Sequence, residues 1–263
     1  MGAGDGCDAA APARGAVNMA VDEALFESVR RGGRPVIRFY TWKPACLSFG
    51  RNQPARNLYD MASAAALGIE VVRRPTGGLA VLHDRELTYC VLAPLHLFGG
   101  PRAAYGGINR ALVEGLRYLG VAAEQAAEVR ARGPLEEQTG PCFQTPAPGE
   151  VVARGRKLAG SAQRCDRGTL LQHGSILLSG SQTRILDLLA DRAPPPSPHD
   201  GSITLQALIG SEPPLADLVA AIRTGFERIF GTRLAPEPLS HDESVRAERL
   251  AVQYDGIDWT WRR

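Results

Sequence analysis

Residues 69–94, "IEVVRRPTGGLAVLHDRELTYCVLAP", read as strand, glycine loop, strand, tight turn, strand. A second hairpin follows in "EVVARGRKLAGSAQRC", with Glu150–Ala153 going up, Arg154-Gly155 turning and Lys157 onwards returning. "PVIRFYTW" and "CLSFG" are strands broken at Lys43-Pro44, and "LLQHGSILL" (170–178) is another. Helical spacing is confined to other stretches. These are 18–32 (Met19, Leu25, Phe26, Val29), 58–68, 104–120 (Ile108, Leu112, Leu116, Leu119), 214–231 (Leu218, Ile222, Phe226, Ile229) and part of the tail after Ser244. Strands joined partly by hairpins, with segregated helices, predict a mixed α+β sheet and not a Rossmann alternation.

The 263 residues, 44% hydrophobic, suffice for one substantial core, expected as a single domain over 16–263. The Gly-, Ala- and Asp-rich start lacks an apolar signal region, and residues 1–15 read as a disordered lead-in. No run of 18 apolar residues predicts a membrane span. A net charge of +2 gives no argument for nucleic acid, although a local arginine surface could dock an acidic protein. Five cysteines (7, 46, 90, 142, 165) without a CxxC pair argue against a disulfide framework or a zinc site; free thiols point to the cytoplasm.

Four segments combine glycine with polar residues: "RRPTGGLAVLHD", "GPCF", "GRKLAGSAQR" and "LQHGSILL". None is a phosphate-loop or dinucleotide fingerprint, and "AGSAQ" around Ser161 is not a serine-hydrolase elbow. His83-Asp84 looks like a base with its orienter, but neighbours on a strand point to opposite faces. Cys142 follows Gly140-Pro141 in a loop, whereas Cys46 and Cys90 sit inside apolar runs. A loop cysteine is either a nucleophile or a tolerated surface residue; Cys165 reads as structural and Cys7 falls in the lead-in.

Only Lys43 and Lys157 among 30 basic residues are lysine, as expected of a GC-rich genome that favours arginine codons. A retained lysine is then a hint of a need for a compact ammonium. A free thiol with a pKa near 8.5 is only about 3% thiolate at pH 7, and a neighbouring ammonium raises that fraction. An ammonium also donates to a carbonyl oxygen gaining charge in acyl transfer. Fifteen positions separate Cys142 from Lys157, and their contact is not fixed by spacing.

Taken in order, "NMAVDEAL", "PVIRFYTWKPACLSFGRNQ", "RRPTGGLAVLHDRELTYCV", "CFQTPAPGEVVARGRKLAGSAQR" and "LLQHGSILL" resemble the biotin/lipoate protein ligase family over roughly 16–263. Within the family the chain is most similar to the octanoyl-carrier-protein:protein octanoyltransferases of lipoate assembly. The resemblance implies a class II synthetase-like fold, a mixed and largely antiparallel sheet flanked by helices. It implies transfer of octanoyl from octanoyl-acyl carrier protein to a lysine of the glycine cleavage H protein or another lipoyl domain. Cys142 matches the thioester nucleophile and Lys157 the lysine that activates it and holds the carbonyl. Arg74, Thr76, Gly77, Gly78 and His83 match a substrate-lining glycine loop; Gly160, Ser161, Ala162, His173 and Gly174 match the other wall. No cofactor and no metal are implied, since a thioester is already activated.

The loop reads "TGGLAV" where ligases of the family carry "SGGGAV", and "PAPGE" replaces the usual Ser and aromatic before the Glu. The usual first strand before "NMAVDEAL" is missing or replaced by the lead-in. Two alternatives stay open. One is an ATP-dependent lipoate-protein ligase, against which the short C-terminal stretch leaves no room for an extra domain. The other is an octanoyl amidotransferase, whose usual "CPG" context differs from "CF" here.

Overall fold

The computed structural model describes residues 12–127, 147–190 and 201–263. Cys7 and Cys142 lie outside these residues, as does most of the lead-in.

Among the described residues, ten strands form two sheets. The larger has the order β1-β2-β6-β10-β9-β8-β7. Its strands are β1 (Pro12–Ala13), β2 (Val36–Trp42), β6 (Glu86–Pro94), β10 (Thr169–Leu177), β9 (Arg156–Asp166), β8 (Val151–Ala153) and β7 (Ala123–Gln125). All its pairings are antiparallel except β1 with β2. The smaller sheet places β3 (Cys46–Phe49) between β4 (Glu70–Arg73), parallel, and β5 (Val81–His83), antiparallel. The fold is therefore α+β with a mixed, mostly antiparallel sheet, as the hairpin pattern predicts.

Residues 12–15, assigned to the lead-in by composition, belong to the fold. Pro12 and Ala13 pair with Thr41 and Trp42, and the backbone N–H of Gly15 donates to Glu70. Backbone pairing sets this edge, so a Gly/Ala-rich composition hides it.

Helices cover both faces of the large sheet. Helix α3 (Pro101–Tyr118) and α5 (Leu215–Phe230) bury Ile108, Leu112, Leu116, Leu218, Ile222 and Phe226 against Leu87, Tyr89, Leu170 and Ile176. The two helices approach closely at Gly115 and Gly225: a Cβ on Gly225 would come within 2.3 Å of the Ala111 carbonyl oxygen. The predicted stripe of α5 ends one residue early. Ile229 and Phe230 are both 36% exposed, and the Phe230 ring meets Phe98 edge-on at 5.6 Å.

The opposite face carries α1 (Gly15–Arg30), whose Met19, Leu25, Phe26 and Val29 pack with Cys90, Leu92 and Leu171. Helix α6 (His241–Asp255), opened by a Ser240/Glu243 capping box, packs on α1. Beyond the end of α1 this face is covered by the small sheet, with Val81 against Leu177. Two short helices, α2 (Met61–Ala66) and α4 (Leu205–Ile209), are capped by Asp60 and Thr204. The chain finishes in α7 (Ile257–Thr260) and an anchored end: Ala55 and Arg56 donate backbone N–H groups to the Arg263 carbonyl. Among the described residues no helix is long and apolar enough to cross a membrane.

Candidate active site

Lys157 lies near the start of β9 and is 1% exposed. Its Nζ donates to Glu150 Oε1 at 2.7 Å, and Glu150 Oε2 accepts from the Ala147 backbone N–H at 2.7 Å. The backbone is held as firmly: Lys157 N–H donates to Gly201 and its carbonyl accepts from Ile203. A β-bulge aims the side chain. Val151 pairs with Ala159 and Val152 with Lys157, so Leu158 is an extra residue on β9. Leu158 and Ala159 both join the α3-side core. Strict alternation from Ala159 would turn Lys157 to that side as well. The bulge instead puts Lys157 with Val152 and Glu150 on the face covered by the small sheet.

On that face Gly160 is in register with Ser175, and Ala162 with His173. Ser161 points the other way, where its hydroxyl meets Tyr89 OH at 2.6 Å and Asn109 Oδ1 at 3.3 Å. Gly174 stands opposite Ser161; a Cβ there would lie 2.3 Å from the Gly160 carbonyl oxygen and 2.8 Å from the Tyr89 ring. Ser161 and Gly174 therefore serve the packing of β9, β10 and α3, while Lys157, Gly160, Ala162 and His173 share the face of the small sheet.

The glycine loop between β4 and β5 is clamped by Arg74. Its Nη2 donates to the carbonyls of Gly77 and Leu79, both at 2.7 Å, and its Nη1 to the carbonyl and hydroxyl of Ser48, both at 3.0 Å. Gly78 sits at φ +92°, and a Cβ on Gly77 would meet open space within 4 Å. The Ser48 hydroxyl continues to His83 Nε2 at 2.7 Å, and His83 Nδ1 meets Glu86 Oε1 at 2.8 Å. Ser175 and Thr88 hydroxyls also donate to Glu86 Oε1, at 2.7 and 2.6 Å. Glu86 Oε2 is buried without a hydrogen-bond partner among the described residues. Trp42 stacks on the His83 ring at 4.0 Å. The orienter of His83 is thus Glu86. Asp84 pairs with Arg184 instead, as the alternation of strand neighbours anticipates.

Thr76 of the glycine loop reaches across to β10: its Oγ1 lies 2.6 Å from His173 Nε2, and His173 Nδ1 lies 3.2 Å from Asp22 Oδ2 on α1. Asp22 also accepts from Arg38 and from Tyr40 OH, each at 2.7 Å. Burial pushes the Asp22 carboxyl up, but the His173 hydrogen bond, the Arg38 charge and the Tyr40 hydroxyl together hold it below its usual value. Burial lowers His173 despite Asp22 beside it. Both shifts describe a neutral imidazole that donates from Nδ1 to an ionised Asp22 and accepts at Nε2 from Thr76.

Cys90 Sγ lies close to the Asp22–His173 pair, the ligand atoms of all three falling within 4.8 Å of one another. Their chemistry is that of a hydrogen-bond network. Burial holds the Cys90 thiol well above its ordinary range, and the guanidinium of Arg38 already occupies Asp22.

Asp22, Ser48, Glu86, Glu150 and Ser175 escape the sequence reading. Only Glu150 left a local trace, as the charge at the foot of the hairpin that ends on Lys157.

A wall of small residues with one buried ammonium faces a glycine loop pinned by Arg74 and Thr76. The sequence profile of the lipoyl protein ligase A/B catalytic domain matches residues 14–227. Octanoyltransferase LipM of Kyrpidia tusciae is 37% identical, with 94% of this chain and 95% of that protein aligned. LipM of Staphylococcus aureus is 34% identical, with 94% of each aligned. A crystal structure of lipoate-protein ligase A bound with ATP superposes with a TM-score of 0.80 at 22% identity, covering 96% of this chain and 97% of the other. The bi-partite lipoate protein ligase of Thermoplasma acidophilum does so at 0.76 and 21%, covering 95% and 93%. At those identities the superpositions speak for the fold alone, whereas the profile and the curated relatives are decisive for membership: the chain belongs to the lipoyl protein ligase A/B catalytic domain family.

Proposed function

We propose that this protein is an octanoyltransferase of lipoate assembly. It takes octanoyl from octanoyl-acyl carrier protein onto Cys142 and passes it to a lysine of the glycine cleavage H protein or another lipoyl domain. The observation that carries the reading is Lys157: a buried ammonium, turned by a bulge onto the small-residue wall and held by Glu150. The kinship to octanoyltransferases over 94% of the chain supports the acyl group.

In the first step the Cys142 thiolate attacks the carrier thioester, the carrier sulfur leaves as a thiolate, and a new thioester forms. In the second the neutral acceptor amine attacks that thioester, an amide forms, and the proton lost by the amine leaves on the cysteine sulfur as the free thiol. Lys157 donates to the carbonyl oxygen as it gains negative charge in both steps. The wall and the glycine loop hold the chain, at about 0.8 kcal/mol per buried CH₂.

The test is modification of apo H protein by octanoyl-acyl carrier protein without ATP. Product in that mixture is expected. A requirement for ATP and free octanoate would establish the ligase alternative instead.

A further inference from the structure

Five arginines converge where the last residues of the chain meet the glycine loop. Arg73 is buried, and its Nη1 donates to the carbonyls of Gly50 and Gln53 at 2.6 and 2.8 Å. Around it stand Arg51, Arg56, Arg262 and Arg263. Arg262 donates to the Arg51 carbonyl at 2.8 Å, and Arg56 to the carbonyl of Trp261. Arg73 is held down to about 10 by burial first and then by Arg262, Arg263 and Arg74. Burial, Arg51 and Arg263 likewise lower Arg262. Guanidinium groups that lower one another in this way are near neighbours.

Arg14, Arg34, Arg85 and Arg228 each pair with a carboxylate, on Glu70, Glu237, Glu212 and Glu114. Among the described residues no carboxylate side chain lies within 4 Å of Arg51, Arg56, Arg73, Arg262 or Arg263. These guanidinium groups are gathered at one corner, where the Arg263 main-chain oxygen accepts from Arg73 Nη2 at 3.4 Å. Leu58, 49% exposed and two residues from Arg56, adds an apolar contact. The corner adjoins the candidate site directly: the Arg51 N–H donates to the Thr76 carbonyl at 2.7 Å, and the Thr76 hydroxyl touches His173.

We infer that this arginine corner, built from Arg51, Arg56, Arg262 and Arg263, is the docking surface for the acidic carrier protein that delivers the acyl thioester. The inference rests on the reading of the donor as an acyl carrier protein. Charge selects the donor over the acceptor. The carrier presents its acyl group on an arm joined through an anionic phosphodiester, whereas the acceptor must bring a lysine amine that is cationic in solution. Guanidinium groups beside the glycine loop attract the first and repel the second.

The test compares two donors, octanoyl-acyl carrier protein and octanoyl-pantetheine, which carries the same thioester without the protein or the phosphate. For Arg56→Glu/Arg263→Glu the kcat/KM with the carrier should fall about 30-fold at low salt, and its decline with added salt should flatten. With octanoyl-pantetheine it should stay within about two-fold, which also reports an intact fold. Arg263→Glu alone, at an exposed side chain, should give about a five-fold loss with the carrier. Equal losses with both donors, an unchanged carrier kcat/KM, or an effect confined to the acceptor KM would each overturn the assignment. Failure of the wild-type protein to use the carrier at all would sink the donor reading as well, and that result is visible before any substitution is made.

Discussion

Replacing Glu150 by Gln tests how Lys157 is held. The ammonium and carboxylate are 2.7 Å apart, with side chains 2% and 6% exposed. At an effective dielectric near 20 their gross attraction is roughly 6 kcal/mol. Much of that offsets the desolvation of two ions, yet removing one partner leaves the other charge buried, which typically costs 3–5 kcal/mol. Gln keeps the volume and one acceptor, so about 3 kcal/mol of destabilisation is expected. The double variant Glu150→Gln/Lys157→Met, in which neither charge is buried, should recover most of it. Urea unfolding of wild type, both singles and the double gives the coupling from one cycle. A loss under 1 kcal/mol in Glu150→Gln, or a double variant no better than the sum of its singles, would refute the claim that Glu150 compensates a buried Lys157.

Lys157→Arg keeps the charge but puts a larger, forked group where the residue is 1% exposed; acyl transfer should drop about 100-fold or more, and near-normal turnover would remove Lys157 from the chemistry. The depressed His173 makes a pH prediction. A lowered folded pKa favours the neutral ring, so its stabilisation is full above the unfolded value of 6.5 and is lost as pH falls from there through the folded value. Wild type should therefore lose more stability between pH 7.5 and 5.5 than His173→Gln does, measured by urea midpoints, and equal losses would contradict the assignment. Asp22, also depressed, adds a second loss only below about its ordinary 3.8.

Periodicity and turn residues made the strands and helices of this fold legible, because each reports local burial or local backbone geometry. The residues themselves singled out His83, Lys157 and the hairpin that carries Lys157, whereas Thr76 and His173 came from the family resemblance. Neither revealed what those side chains touch. Asp22 and His173 are 151 positions apart, Thr76 and His173 are 97 apart, and Ser48 and His83 are 35 apart. Such partners are chosen by sheet register, which no local window contains. The bulge at Leu158 was equally hidden: an extra residue in an apolar strand leaves the hydrophobic pattern intact but reverses the side of every residue before it. Adjacency in sequence misleads in the opposite direction. His83 and Asp84 look like a pair, while Glu86, three residues on across the turn, is the partner. Ser161 sits in the motif, yet alternation sends it to Tyr89.

The central claim is that octanoyl rests on Cys142 between donor and acceptor. Intact mass spectrometry of the protein after mixing with octanoyl-acyl carrier protein, without ATP and without acceptor, tests it most directly. The account predicts one octanoyl adduct, released by hydroxylamine and absent in Cys142→Ala. No adduct in the wild type, or undiminished acceptor modification by Cys142→Ala, would contradict it.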